Sequence, residues 1–290
     1  TRLALGVKQA DAVLSGRTKL TLRAVRDTEG TRLPQLTIRN DQISLSGSAE
    51  LKTDASKGRF DLSLTNSAII DSNLKGPIAV NGTVSQDLTG WSVDTNAIGP
   101  FDAQTSIKGR VTGQDPSVNF EVSVPNINQV LPQYRGASRL KGRANQIAGN
   151  WQVNTDLKGP YGLDGALSGT VTGPTPTLVY TLKIPDVAPL GAQINGAITV
   201  KGTAVQQSQG WQIDTGMTGL SGTRAQLNGL VRTDGTLDLA TVGTAPLALA
   251  NPFISPRNLQ GQANFDLILK GSPSLASLSG ALTTSNARFS

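Results

Sequence analysis

Carboxylate pairs are the residues of this chain whose types could perform acid–base chemistry, as in glycoside hydrolysis. Two such pairs, Asp94 with Asp102 and Asp234 with Asp238, lie close together in the sequence. Their members fall on the polar positions of alternating stretches or in turns, where a solvated surface is the simpler interpretation. No candidate base or metal-binding cluster accompanies them in the sequence. The pattern therefore favours a surface role over hydrolysis.

Histidine and cysteine are absent from the 290 residues, and there is a single methionine. This composition removes soft-metal sites and the commonest acid–base and nucleophilic side chains. Glycine-rich spacings at residues 162–165 and 169–173 lie between or in strand-like stretches, with no helix to receive a phosphate. We therefore predict a protein that is not an enzyme, with no catalytic residue, cofactor or metal. The lack of cysteine leaves the redox compartment undecided.

The charge balance is basic, with 26 lysines and arginines against 20 acidic residues, a net charge of +6. The densest cationic clusters are Arg17, Lys19, Arg23 and Arg26, and then Arg135, Arg139, Lys141 and Arg143. A solvated outer face is the favoured interpretation, and attraction to anionic lipid headgroups is the alternative. Nucleic acid is not predicted as a partner because no aromatic residues interleave with these cations to stack on bases.

The ends of the sequence have the character of an excerpt from a longer protein. It begins at Thr1 without a leader and stops at Ser290 within a strand-like pattern, so we expect a segment of a larger chain. No run of 18 or more apolar residues is present, so this segment is not expected to cross a bilayer as a helix.

A repeat with a period of about 60 residues organises the chain. The only tryptophans, Trp91, Trp151 and Trp211, are separated by one period each, and the same offset relates three glycines, Gly109, Gly169 and Gly229. We assign full copies to residues 76–135, 136–195 and 196–255, a degenerate copy to 1–75, in which Gly16 is in register with Gly76, and a partial copy to 256–290. Residues 1–290 are thus predicted to form one elongated β-repeat segment, whose copies stack on their neighbours.

Apolar residues alternate with polar ones throughout each copy, which is typical of sheets with one apolar and one wet face. Residues 117–124 are an example, with Val118, Phe120, Val122 and Val124 on the apolar positions. No sustained helical periodicity is present. About four short strands fit each copy, roughly 19 in all, and the fold class is predicted to be all-β. Glycines inside strands indicate either sharp bends or close packing of opposed backbones.

The apolar positions are the candidate binding residues, because a stack of repeats joins them into one continuous surface. They are Val93, Phe101, Ile107, Val111, Phe120, Val122, Val153, Leu167, Val171, Leu178, Tyr180, Leu182, Ile213, Leu227, Val231, Phe265 and Leu267. The tryptophans share this parity and are interpreted as anchors of each copy, or alternatively as contacts to a bound acyl chain.

Two phrases near the end of the chain resemble the TamB family, an AsmA-like group of bridge-type lipid-transfer proteins. Residues 269–282, LKGSPSLASLSGAL, followed by Ala-Arg-Phe at 287–289, are similar to a recurring family pattern of glycine, a short proline-containing loop, and a strand. Residues 243–253, GTAPLALANPF, leading to Leu-Gln-Gly at 259–261, resemble a second family phrase. The strongest matches cover roughly residues 225–290.

The resemblance implies a curved, taco-like sheet with an apolar concave groove. It implies a periplasmic chain whose parent protein is anchored in the inner membrane, with phospholipid acyl chains and an Omp85-type, TamA-like outer-membrane barrel as partners. The implied role in a translocation and assembly module is phospholipid transport between the two membranes, support of outer-membrane protein assembly and secretion, or both.

Alternation alone leaves two further classes open. A stalk or adhesin-like repeat would close the apolar face into a dry core, whereas a lipid groove would leave it open. A transmembrane β-barrel is disfavoured because the aromatic girdles and longer strands of that class are missing.

Overall fold

The structure is a computed structural model that describes residues 17–69, 75–129, 134–188 and 194–290. Gly16, which the repeat relates to Gly76, lies outside the described residues. The chain divides into two compact units, Thr1–Gln146 and Ile147–Ser290. Each unit contributes nine strands to the described fold. The prediction of a single segment over residues 1–290 stays a prediction.

The first unit is an antiparallel meander, in which each strand pairs with the next one along the chain. Its strands are β1 (Lys19–Asp27), β2 (Gly30–Arg39), β3 (Ile43–Leu51), β4 (Lys57–Leu64), β5 (Ile78–Asp87), β6 (Gly90–Ile98), β7 (Gln104–Arg110), β8 (Ser117–Val124) and β9 (Ser138–Ile147). Short turns of 3-10 helix punctuate it at Ser67–Ile69, Pro100–Asp102 and Ile127–Gln129.

The second unit has the same antiparallel connectivity. Its strands are β10 (Asn150–Lys158), β11 (Asp164–Thr170), β12 (Thr177–Ile184), β13 (Ile198–Gln207), β14 (Gly210–Gly219), β15 (Thr223–Arg232), β16 (Leu237–Pro246), β17 (Leu259–Gly271) and β18 (Leu278–Phe289). Turns of 3-10 helix lie at Pro160–Gly162, Leu220–Gly222, Leu247–Ala250 and Leu275–Ser277, and one α-helical turn, α1, spans Asn251–Ile254.

The all-β prediction is confirmed, and the strands follow the period of the sequence repeat. Strands β6, β10 and β14 begin at Gly90, Asn150 and Gly210, each one repeat period after the previous one. Every full copy contributes four strands, as the alternation predicted. Among the described residues, no helix has both the length and the apolar character needed to span a membrane.

Some of the hairpin turns are closed by an aspartate side chain that accepts backbone N–H groups. Between β5 and β6, Asp87 Oδ1 accepts the N–H of Thr89 at 2.8 Å and that of Gly90 at 3.1 Å. The hydroxyl and N–H of Thr89 lower the pKa of Asp87. Asp234 accepts the N–H of Thr236 at 2.9 Å between β15 and β16 in the same way. These local bonds fix where each strand ends and therefore its register.

Three repeated glycines lie where opposed backbones approach closely. Gly109, Gly169 and Gly229 have φ values of 147°, 142° and 138°. A Cβ atom at these positions would lie 2.1, 2.0 and 2.1 Å from a backbone carbonyl oxygen of the next strand. An L-residue cannot occupy this combination of φ and space without shifting a strand. The recurrence of glycine at this position of every full copy thus has a backbone cause.

A longer loop joins the last strand of one copy to the first of the next, and a polar side chain anchors it. Before β13, Asp186 Oδ1 accepts the N–H groups of Ala188 at 3.1 Å and Gly196 at 2.9 Å. Before β5, Asn66 accepts those of Ala68 at 3.1 Å and Gly76 at 3.5 Å. The same anchor is therefore an anion in one copy and a neutral amide in another.

This difference predicts a pH dependence that is specific to Asp186. Its two backbone hydrogen bonds lower its pKa below the ordinary value of 3.8. A lowered pKa contributes stability that is present above the unfolded-state pKa and is lost as pH falls through the folded-state pKa. We expect the wild type to exceed the Asp186→Asn variant in urea-unfolding midpoint at neutral pH, and this difference to shrink as pH falls below about 4. Tryptophan fluorescence measures the midpoint.

The asparagine variant is a matched control because Asn66, at the equivalent position before β5, accepts the same two kinds of backbone N–H group. Asp186→Ala should be less stable than Asp186→Asn at every pH, since alanine leaves both N–H groups without this acceptor. A difference between wild type and Asp186→Asn that does not change with pH would contradict the assignment.

Candidate functional site

The strand register places most of the candidate binding residues on one face of the sheet within each unit. Direct cross-strand partners point to the same face, and side chains alternate between faces along a strand. In the first unit this face carries Val93, Ile107, Phe120 and Val122. In the second unit it carries Val153, Leu167, Leu178, Tyr180, Leu182, Ile213, Leu227, Val231, Phe265 and Leu267. We call it the apolar face.

Cross-strand pairing aligns these residues into rows that run across the strands. In the first unit one row consists of Gly47, Phe60, Gly82, Thr95, Ile107, Phe120 and Gly142. In the second unit the corresponding row consists of Thr155, Leu167, Tyr180, Gly202, Thr215, Leu227, Thr241, Leu267 and Gly280. The mixture of large residues with glycine and threonine gives each row an uneven surface.

Three of the candidate residues lie outside these ladders. Phe101 occupies the turn between β6 and β7 with a φ of 64°, a conformation that bulky residues rarely adopt. Val111 and Val171 follow the last residues of β7 and β11, and their N–H groups donate to the carbonyl oxygens of Trp91 at 2.8 Å and Trp151 at 2.9 Å. Turn geometry therefore sets the position of Phe101, whereas Val111 and Val171 lie just beyond the ends of their strands.

Charge lies on the opposite, polar face of both units. Lys108 Nζ lies 2.6 Å from Asp94 Oδ2, and Arg139 Nη2 lies 2.7 Å from Glu121 Oε1. The Arg139 guanidinium, through its hydrogen bond, lowers the pKa of Glu121. Lys158 Nζ lies 2.8 Å from Asp164 Oδ2 in the second unit. These ion pairs are exposed, so each adds little stability, and their main role is to keep this face in water.

The apolar face carries no charge within the described ladders of β3–β9 and β10–β17. The polar face is less uniform, because it also carries exposed apolar side chains, namely Ile98, Val179, Val242 and Ile268. The apolar face is thus the better defined of the two surfaces.

Exposure distinguishes this apolar face from an ordinary core. Of the candidate residues, Ile107 and Val171 are 37% and 39% exposed, and the others are half-buried. The buried apolar side chains among the described residues are few and mostly small, namely Leu64, Ala144, Val187, Ala204, Leu239 and Ala263. A single layer of sheet covers its side chains only with their neighbours in the same layer, which explains this intermediate burial.

Two buried threonine hydroxyls on the apolar face are hydrogen-bonded within the protein. Thr155 is 3% exposed and Thr215 is 6% exposed. The Thr155 hydroxyl donates to the carbonyl oxygen of Leu167 at 3.1 Å, and Thr215 is hydrogen-bonded to the hydroxyl of Tyr180. Because these polar groups bond to each other or to backbone, they do not present free donors to the face.

A repeat of aromatic residues opposite glycines was missed in the sequence. Phe60, Phe120 and Tyr180 recur at the period of the repeat, and each pairs directly with a glycine of the next strand, Gly82, Gly142 and Gly202 in turn. A glycine leaves room for the neighbouring ring to lie over the backbone. The regular spacing of the three aromatics was the signal that could have revealed it.

The tryptophans lie at one end of the strands, and two of them pair with a glutamine. Trp91 pairs with Gln86 and Trp211 pairs with Gln206, at the hairpins that close β5 with β6 and β13 with β14. All three tryptophans are half-buried. A half-exposed indole next to an amide suits a boundary between hydrocarbon and water.

A cavity of about 580 Å³ opens on the first unit between β2 and β5. Its lining includes one row of direct partners on the apolar face, Leu33, Ala49, Gly58 and Val84. The depression forms because Ala49 has a small side chain and Gly58 has none. Its volume falls in the range of about 300–1,000 Å³ that small-molecule sites occupy.

The carboxylates considered for catalysis are dispersed. Asp94 pairs with Lys108 on the polar face, Asp102 lies in the turn after β6, and Asp234 closes a hairpin. Among the described residues, no group of three or more histidine, cysteine, aspartate or glutamate side chains could hold a metal ion.

Comparison with known proteins identifies no relative: no protein-family model, no curated protein and no solved structure matches this chain. Function is therefore inferred from the arrangement of the residues themselves.

Proposed function

We propose that the apolar face is an open groove that binds the acyl chains of phospholipids, and that the chain acts without catalysis. The observation that carries this proposal is that large apolar side chains, such as Phe120 and Val122 in the first unit and Leu182 in the second, lie on the uncharged face of their own unit and are only half-buried. A soluble protein rarely exposes a contiguous apolar patch beyond a few hundred Å² unless a ligand or partner covers it.

The dimensions of the face fit an extended hydrocarbon chain. Strand β8 presents Val118, Phe120, Val122 and Val124 to the apolar face. At about 3.4 Å per residue these four side chains span about 20 Å along the strand. One leaflet of a bilayer has about half of the 30 Å hydrocarbon thickness, or roughly 15 Å. A chain laid along a strand would therefore find apolar contact over its whole length.

The energetics favour such a ligand over an empty groove in water. Burying a methylene group contributes about 0.8 kcal/mol, so partial burial of a long acyl chain against one face sums to several kcal/mol. Nine strands spaced about 4.8 Å apart give each unit a face about 40 Å across, which accommodates several chains side by side. A surface of this extent suits passage of lipid along the protein more than capture of one molecule.

The wider role follows the resemblance to the TamB family. We propose a periplasmic chain, part of a protein anchored in the inner membrane, that moves phospholipid between the inner and outer membranes. Cooperation with a TamA-like barrel in outer-membrane protein assembly belongs to the same proposal. A curved, taco-like sheet with the apolar face on its concave side is the shape this role requires.

Photo-crosslinking tests the groove. A photoreactive amino acid at Val122 in the first unit or at Leu182 in the second should form phospholipid adducts when the protein is incubated with phospholipid vesicles. The same amino acid at the neighbouring Glu121 or Lys183 should form none, because these residues lie on the polar face. Mass spectrometry of the adducts identifies the crosslinked molecule.

Two outcomes separate the groove from a closed-core stalk. Val122→Asp or Leu182→Asp should abolish lipid binding while the circular dichroism spectrum stays β-dominated, since a charge opposes an acyl chain but remains hydrated in an open groove. Adducts to protein alone at both positions, or unfolding caused by either aspartate, would favour a closed core and a stalk or adhesin-like function.

A further inference from the structure

The apolar face is not uniform along the strands, because its two ends differ in polarity. At the end near the hairpins that close β5 with β6 and β13 with β14, the outermost pairs are Gln86 with Trp91 and Gln206 with Trp211. At the other end of the strands most of the large outermost side chains on this face are aliphatic, namely Ile43, Leu64 and Ile78 in the first unit, and Ile184 with Ile198 in the second. Ser138, opposite Val124, and Thr223, opposite Gly219, are the hydroxyl-bearing residues at this end.

In both units the apolar face is more polar near the end of the first strand of a copy, β5 or β13, than near its start. Gln86 and Ile78 lie at opposite ends of β5, and Gln206 and Ile198 lie at opposite ends of β13. The glutamine amide and the indole N–H can hydrogen-bond to a polar group while the indole ring remains against hydrocarbon. Isoleucine and leucine side chains offer no such bond. A ligand with one polar and one apolar end therefore meets a matching gradient on each unit.

The cavity of the first unit lies toward the glutamine–tryptophan end. Val84, one of its lining residues, precedes Gln86 by two positions on the same face of β5. This depression of the apolar face therefore lies close to the polar end of the gradient.

We infer that a bound phospholipid lies along the strands, with its headgroup at the glutamine–tryptophan end and its terminal methyl groups at the isoleucine end. This inference rests on the proposed function, since it assigns an orientation to a ligand of the same groove. The reverse orientation would place the polar ester and headgroup against Ile43, Leu64 and Ile78, where hydrogen bonds from side chains are lacking. Tryptophan at the level of the lipid headgroup is also its preferred position at a membrane interface.

Intrinsic fluorescence can test this orientation, because the only three tryptophans of the chain lie at one end of the strands. The full chain is incubated with vesicles of phosphatidylcholine that carries two bromine atoms on one acyl chain, and the vesicles are then removed by flotation. Bromine quenches tryptophan at short range. Lipid brominated near the carboxyl end of the chain should cause the larger loss of fluorescence, and lipid brominated near the methyl end the smaller loss.

A relocated reporter is the matched control. In a variant with Trp91→Phe, Trp151→Phe, Trp211→Phe and Ile198→Trp, the only tryptophan lies at the isoleucine end, and the order of quenching should reverse. Equal quenching by both lipids, or the opposite order in the wild type, overturns the orientation and leaves the groove standing. If neither lipid remains with the protein or quenches it, the groove and the orientation both fail.

Discussion

Replacing Gly169 with alanine is expected to destabilise the second unit by at least about 3 kcal/mol, or to prevent it from folding. The backbone there has a φ of 142°, a region that is essentially restricted to glycine and costs other residues about 1–3 kcal/mol. The new Cβ would also lie 2.0 Å from the carbonyl oxygen of Thr177, which a backbone ladder cannot move cheaply. Urea unfolding, followed by circular dichroism, measures the loss.

A second glycine separates the clash from the effect of backbone conformation alone. Gly235 has a φ of 83°, but nothing lies within 4 Å of the position its Cβ would take. Gly235→Ala should therefore cost only about 1–2 kcal/mol, the penalty for a left-handed residue. If the two alanine variants lose the same stability, the close approach of backbones at Gly169 is not what requires glycine.

Replacing Trp151 with alanine should cost about 2–3 kcal/mol. The full removal of a buried tryptophan costs about 3–5 kcal/mol, and this ring is half-buried, so part of the transfer free energy is absent. In a repeat architecture each copy depends on its neighbours only, so the damage should stay local. Hydrogen exchange should rise in β10 and β11, while β16 and β17 keep their protection.

The phenylalanine variant is the control for this substitution. Trp151→Phe keeps most of the apolar contact and should lose less than about 1.5 kcal/mol. Exchange that rises uniformly over β10 to β18 after Trp151→Ala would contradict a solenoid-like distribution of stability and would indicate one cooperative unit instead.

The faces of the sheet could be predicted from the sequence because a strand has a side-chain period of two. Because Val118, Phe120 and Val122 alternate with polar residues, the pleat places all three on the same face of the strand. The observed pairing of β7 with β8 puts them on that face. The constant offset between copies likewise located the strands of each copy, because the tryptophans and the strand glycines recur at identical intervals.

Parity failed where the chain leaves the strand. Phe101 has the parity of Ile107, but the chain turns at residues 100–102, and a left-handed backbone at Phe101 breaks the alternation. The turn depends on a hydrogen bond between the N–H of Ala103 and the carbonyl oxygen of Pro100, at 3.2 Å, which no hydropathy pattern reports. Exposure could not be predicted either, because alternation is the same for a covered face and an open one.

The order of strand pairing has a consequence for how the chain acquires its fold. Every described ladder joins two strands that follow one another in the sequence. Even paired residues that are far apart in the sequence, such as Lys57 with Ser85 or Leu237 with Gly271, belong to consecutive strands. Low contact order of this kind makes loop closure inexpensive and folding fast. Each new hairpin can therefore dock on the edge left by the previous one as the polypeptide emerges from the ribosome. Growth of the sheet by addition at one edge lets such a protein lengthen by duplication of a copy without redesign of those already in place.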